Sequence, residues 1–95
     1  MILKIIIKRK KTNNIIAAWI KKDKIFEKDL LQLFHFFKEN IQVSSKRRFH
    51  KYYMITSKNP AIMISFISAL NELIPETYFN LDNYIQEELL DIGNV

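Results

Sequence analysis

The sequence predicts a single α+β domain over residues 1–95, with two β-hairpins forming one antiparallel sheet packed on helices in the order ββαββαα. Three observations carry that expectation. Short stretches rich in branched and aromatic residues alternate between two faces, as half-buried strands do. Two longer stretches repeat their apolar residues at helical spacing. The joints between them carry turn and capping residues, above all Asn59-Pro60.

Ile2 to Lys8 reads as the first strand, with Leu3/Ile5/Ile7 on a fully apolar face and Ile2/Lys4/Ile6/Lys8 on a mixed one. Thr12-Asn13-Asn14 has turn chemistry, and Ile15 to Lys22 returns as the partner strand of a hairpin. A helix through Ile15–Lys22 is the rival reading, because Ala17-Ala18 suits helices. Asp23 is placed to cap the next element. From there Leu30, Leu33, Phe34, Phe37 and Ile41 form an amphipathic stripe that ends near Glu39-Asn40. Ile41-Gln42-Val43 starts a short strand, Ser44 to Arg48 turns, and Phe49 to Thr56 returns.

The helix that follows is the predicted core. Asn59 serves as N-cap and Pro60 occupies the first helical position, where its missing donor costs nothing. Met63, Phe66, Ile67, Leu70 and Ile74 then form its buried stripe, widened by Ile62, Ala69 and Leu73, with Ser65, Ser68 and Glu72 on a wet edge. Pro75 stops it, Tyr78-Phe79 lie in a connector, and Leu81 to Asp91 form a final acidic helix with Gly93 just beyond.

Composition bounds the function classes. With 48% hydrophobic and 26% charged residues the chain is globular rather than disordered. The absence of cysteine excludes a disulfide framework and a thiolate metal site. The longest apolar run, Ala61 to Leu70, is broken by two serines and falls short of the ~20 residues of a membrane span. Nothing at the N-terminus reads as a leader or signal segment. Ile, Lys, Asn, Phe and Tyr supply 47 of the 95 residues, whereas Gly, Ala, Pro and Arg supply 10, which is the bias of an AT-rich gene. An organelle with an AT-rich genome, the mitochondrion first, is the setting this suggests, with viral and AT-rich bacterial genomes as others.

Catalytic constellations do not emerge from the pattern. His35 and His50 have no carboxylate at coordination spacing, so no metal or cofactor is implied. A single glycine excludes a phosphate-cradling loop. Glu87, Glu88 and Asp91 read as a solvated helix face, and Phe34, Phe36 and Phe37 as packing. What remains is charge. Residues 1–51 carry a net +10 and residues 52–95 a net −5. Arg9, Lys10 and Lys11 sit at one predicted hairpin tip and Lys46, Arg47, Arg48, His50 and Lys51 at the other. Trp19, Lys21 and Lys22 lie between them in sequence. If both hairpins share a sheet, these residues line one surface suited to phosphates and bases. The plainer reading is a solubilising rim on sheet edges.

Glu27–Asn40, a basic hairpin, and Lys51–Asn59 running into an apolar helix and a proline resemble the body of a LAGLIDADG homing endonuclease domain. That resemblance implies a saddle-shaped sheet on DNA. The family's eponymous metal-binding helix would precede Ile2, and Leu89-Leu90-Asp91-Ile92-Gly93 only echoes it, so no catalytic residue is carried over. KYYMITSK, Lys51–Lys58, more weakly resembles a strand of the tenth small-subunit ribosomal protein. Both resemblances imply a nucleic-acid partner. Together these readings lead to a non-enzymatic RNA-binding component of a ribonucleoprotein, an organellar ribosome first. An endonuclease or maturase fragment is the alternative. A protein-interaction subunit docking through the acidic final helix, Leu31 and Phe36 is the third class.

Overall fold

The structure, a computed structural model, describes residues 2–9, 14–47 and 49–81. In chain order the elements are β1 (Leu3–Arg9), β2 (Ile15–Lys21), α1 (Glu27–Phe37), β3 (Gln42–Arg47), β4 (Lys51–Thr56), α2 (Pro60–Leu73) and β5 (Thr77–Leu81). The strands form one sheet in the order β3-β4-β2-β1-β5. Within it β1 and β2 are a hairpin, as are β3 and β4, and the hairpins join where β2 pairs antiparallel with β4.

The α+β class holds, but the order and the sheet type do not. The described chain runs ββαββαβ, and its sheet is mixed because β5 pairs parallel with β1, Leu3 facing Thr77 through Ile7 facing Leu81. Tyr78 and Phe79, expected in a connector, belong to that strand. Nothing local announces a five-residue strand whose partner lies at the other end of the chain. Its ladder bonds satisfy the outer edge of β1, which would otherwise be left open. The expected acidic helix lies outside the described residues beyond Leu81.

β3 is also longer than expected. It continues as a strand to Arg47, through Ser44 and Ser45, where a turn was expected. A polar strand of this kind is held by its ladder to β4 rather than by side-chain burial, so its residues lack a strand signature. β2, in contrast, is a strand as read, and the helical alternative through Ala17-Ala18 is not realised. Those small residues lie flat in the middle of the sheet, Ala18 facing Ile55 on one side and Ile7 on the other.

Among the described residues the main core cluster forms on the helix-bearing face. Leu3, Ile5, Ile7, Ala18, Ile20 and Ile55 project from the sheet onto Leu30, Leu33, Phe34 and Phe37 of α1 and Met63, Phe66 and Leu70 of α2. Phe66 is fully buried. It stacks on Phe34 at 6.1 Å between ring centres and meets Phe37 edge-on at 5.4 Å, so it joins the two helices. The start of α2 follows the capping expectation, since Asn59 Oδ1 accepts a hydrogen bond from the Ala61 amide at 2.9 Å and Pro60 follows the cap. α1 starts later than expected. The Asp23 carboxylate accepts from the Ile25 amide at 3.0 Å and forms a turn ahead of the helix, which begins at Glu27. The predicted stripe of α2 is right at Met63, Phe66 and Leu70, but Leu73 is 41% exposed and lies outside it.

Phe66→Ala should therefore lower stability by ~3–5 kcal/mol, and Asn59→Ala by ~0.5–2 kcal/mol through loss of the cap. Ser65→Ala, at an exposed position, should change it by less than about 0.5 kcal/mol. Urea denaturation of the three variants measures the order.

Candidate functional site

Where β2 leaves the sheet and α1 begins, an open cleft of about 460 Å³ is bounded by Lys22, Asp23, Glu27, His50, Lys51 and Tyr53. Its position follows from the strand register. Ser45 of β3 lies directly opposite Tyr53 of β4, and Tyr53 opposite Ile20 of β2, so these side chains share the helix-bearing face. Lys22 follows two residues after Ile20 and is tied in by a 2.9 Å hydrogen bond from its amide to the Lys51 carbonyl. Its ammonium is thereby brought onto Ser45.

The Lys22 Nζ donates to Ser45 Oγ at 2.9 Å and lies 4.6 Å from the centre of the Tyr53 ring. A cation over an aromatic face is attracted by the ring quadrupole, which holds the lysine in place. Tyr53 is fixed in turn. Its ring meets Phe34 edge-on at 5.1 Å, and its hydroxyl donates to the Glu27 carboxylate. Burial first, and then the negative charge and hydrogen bond of Glu27, raise the Tyr53 phenol above its ordinary value of 10.0. Glu27 stands in the first turn of α1, where the helix dipole favours a carboxylate.

The sequence-predicted basic residues divide into two groups instead of one surface. Lys21, Lys22, Lys46, Arg47, His50 and Lys51 gather at one end of the sheet. Arg9 lies at the opposite end, beside Ile15, separated from Lys21 by six strand residues or roughly 20 Å. The hairpins do share a sheet, but their tips point in opposite directions. Trp19 lies on the sheet face away from the helices and is only 8% exposed. The Lys8 ammonium sits 4.2 Å from its ring centre and Tyr52 packs beside it at 5.8 Å. Lys10, Lys11 and Arg48 lie outside the described residues.

Sequence reasoning missed Ser45, Tyr53 and Glu27 as parts of a site. The sequence pattern places Ser45 in a turn, which hides its register with Tyr53. Had β3 been carried through to Arg47, the alternation of the hairpin would have paired them. A second hollow of about 550 Å³ lies at the far end of β3, between Asn40, Gln42, Thr56 and Asn59. Its hydroxyl, Ser57 Oγ, donates to the Asn40 carbonyl at 2.8 Å and accepts from the Asn59 amide, so it ties loops together. Among the described residues no three His, Asp or Glu side chains gather to hold a metal ion. No described helix is long and apolar enough to cross a membrane.

No protein family description matches the sequence, and no curated protein matches it. Solved structures do share its fold. A Staphylococcus aureus protein described as hypothetical superposes with a TM-score of 0.53 at 8% identity, over 85% of this chain and 100% of its own. An essential ribosomal processing protease of S. aureus, solved in complex with a substrate peptide, gives the same TM-score, identity and coverage. A Streptococcus mutans protein gives 0.46 at 11% identity, over 86% of this chain and 95% of its own.

These findings correct several expectations. The fold is that of the S. aureus proteins, not of a LAGLIDADG endonuclease or the tenth small-subunit ribosomal protein. A short string such as Lys51–Lys58 is compatible with many α+β folds, whereas the strand order β3-β4-β2-β1-β5, with β5 parallel to β1, is set by pairing across the chain. The expectation of a non-enzymatic RNA-binding ribosomal component is corrected as well: the fold is shared with a ribosomal processing protease solved with a substrate peptide. The expected organellar setting finds no support either, since the solved structures that share the fold are S. aureus proteins. AT-rich composition reports codon usage and does not mark a compartment.

The coupling of Tyr53 to Glu27 has a measurable consequence. Ultraviolet titration should show the Tyr53 phenol ionising above 10.0, and Glu27→Gln should bring its midpoint part of the way down, the burial contribution remaining. The sign follows from a folded-state value above the unfolded one. The stability associated with Tyr53 is fully present below pH 10.0 and is lost as pH rises through the folded-state value.

Proposed function

We propose that this chain is a protease-like protein that takes an extended polypeptide as its ligand, with the Lys22–Ser45 pair, beside the cleft that Lys22 lines, as its reactive point. The observation that carries the reading is the 2.9 Å contact between Lys22 Nζ and the exposed Ser45 Oγ, made by a lysine that also lines the open cleft. The shared fold with a peptide-bound processing protease supports it. Because the chain has no cysteine, a thiolate nucleophile is excluded and peptide-bond chemistry falls to a hydroxyl.

A serine hydroxyl is a weak nucleophile until a neighbouring base takes its proton, and an amine within hydrogen-bond reach supplies that base. In the proposed step the Lys22 ammonium, which donates to Ser45 Oγ in the resting arrangement, first gives up a proton to solvent. Ser45 Oγ then attacks the carbonyl carbon of the bound peptide bond while the Lys22 amine accepts the hydroxyl proton. The proton passes to the departing amine as the C–N bond breaks. Water then hydrolyses the Ser45 ester and frees the carboxylate product. Tyr53 acts as a positioning residue, its ring 4.6 Å from the Lys22 ammonium, and Glu27 acts through Tyr53.

The test is hydrolysis and binding of fluorescent peptides by the purified chain. Ser45→Ala should reduce cleavage by ~100-fold or more while leaving peptide affinity within about twofold, since the hydroxyl acts in the chemical step. A fluorophosphonate should label the unsubstituted chain at Ser45 and fail to label the variant. Unchanged cleavage in Ser45→Ala, or no binding of any peptide, would overturn the reading.

A further inference from the structure

β3 is the outer strand of the sheet, with β4 on one side and no described element on the other. The Lys51 carbonyl accepts from the Lys22 amide, so the backbone groups of Lys51 point toward β2. Backbone groups alternate sides along a strand, so those of Tyr52 point toward β3, where its cross-strand partner is Lys46. Gln42, Ser44 and Lys46 therefore spend their amides on the ladder to β4. Val43, Ser45 and Arg47 direct theirs outward. The row of outward amides and carbonyls passes directly through the serine of the Lys22–Ser45 pair.

We infer that the outer edge of β3 accepts an extended, acidic polypeptide segment as an added sixth strand, an inference that rests on the peptide-ligand reading above and names the class of peptide. Main-chain bonds to an exposed edge supply affinity without regard to sequence, and alternate side chains supply selectivity. Here the selectivity is electrostatic. Lys46, Arg47 and Lys51 are exposed around this edge and Lys22 stands at its helix side, with Asp23 and Glu27 the carboxylates of the cleft. Glu27 is engaged by the Tyr53 hydroxyl. Carboxylates of a bound segment thus meet unneutralised cations, as complementary charges across an interface do.

The same charges disfavour the obvious competitor. A second copy pairing its β3 antiparallel about Ser45 would set Arg47 opposite Val43 and Lys46 opposite Ser44, and because β3 carries no carboxylate these cations would gain no opposite charge. Strand addition also carries a ligand where the chemistry needs it. A segment laid along Val43 to Arg47 runs its backbone past Ser45 Oγ, with alternate side chains falling on the Lys22 and Lys46 faces.

The experiment is amide hydrogen exchange and chemical-shift mapping by NMR on the full chain, with a blocked peptide of alternating glutamate and threonine and its lysine counterpart as probes. The glutamate peptide should slow exchange at the Val43 and Ser45 amides by ~10-fold or more, while Gln42, Ser44 and Lys46 are already protected without it. Replacing Lys46 and Arg47 together by glutamate should weaken its binding ~10-fold or more. Val43→Pro removes an outward amide that the ladder does not use, which an edge strand tolerates, and should abolish binding with an unchanged melting temperature. Should that variant unfold, exchange in the unsubstituted chain decides.

Binding that shifts Lys22 and Tyr53 but leaves the Val43 and Ser45 amides exchanging freely overturns strand addition and leaves the peptide-ligand reading standing. Equal binding of the lysine peptide overturns the acidic preference. Failure of both peptides to bind overturns both readings, as does tighter binding of a single-stranded oligonucleotide at the same residues. Protection of the outward amides that appears without peptide and grows with protein concentration assigns the edge to a second copy and overturns the inference.

Discussion

The packing of Phe66 between Phe34 and Phe37 is the contact on which the architecture depends, because it fastens both helices to each other over one face of the sheet. Without that layer, Leu3, Ile5, Ile7, Ala18, Ile20 and Ile55 would present a continuous apolar surface to water. Burying a phenylalanine contributes on the order of 2–3 kcal/mol, a substantial fraction of a small domain's stability. Each helix also bridges strands that are not neighbours, α1 from β2 to β3 and α2 from β4 to β5. The helices thus determine the strand order as well as the core.

Placement of α1 over the sheet explains why a site exists at that end. Phe34 reaches Tyr53, and Glu27, two turns earlier on the same helix, meets the Tyr53 hydroxyl. Tyr53 in turn supports the Lys22 ammonium, which reaches Ser45. The chain of contacts runs from the hydrophobic core outward to a hydroxyl at the sheet edge. A polar pair on an exposed strand is ordinarily mobile. Here one partner is braced by an aromatic ring that is itself packed on the core, which is how rigid elements position reactive groups.

Charge has two different uses on the two faces of the sheet. On the face away from the helices Lys8 is 4% exposed and lies over Trp19, so its stem and its charge both take part in packing. At the β3 end the cations are exposed and surround a strand edge that no described element pairs with. A basic residue count cannot separate these roles, since one lysine closes a surface and another leaves a surface available. The broad positive charge of residues 1–51 therefore pointed to an anionic partner without saying whether phosphates or carboxylates supply it.

Much of the scaffold was legible in the residues. Leu3/Ile5/Ile7 announced a one-sided strand, Asn59-Pro60 a capped helix, and Met63/Phe66/Leu70 its buried stripe, because each signal is local and each is read within a few turns or pleats. The site was legible only in part. Lys21, Lys22, Lys46, Arg47, His50 and Lys51 were singled out for their charge, and they do gather at one end of the sheet, whereas Arg9 lies at the other. Local patterning could not reveal β5, because a parallel strand earns its stability from a partner some seventy residues away. Nor could it reveal that Ser45 meets Lys22, a contact set by strand register and by the helix that braces Tyr53. Periodicity determines which face of an element is buried, while the pairing of distant backbone groups decides what that face is brought against.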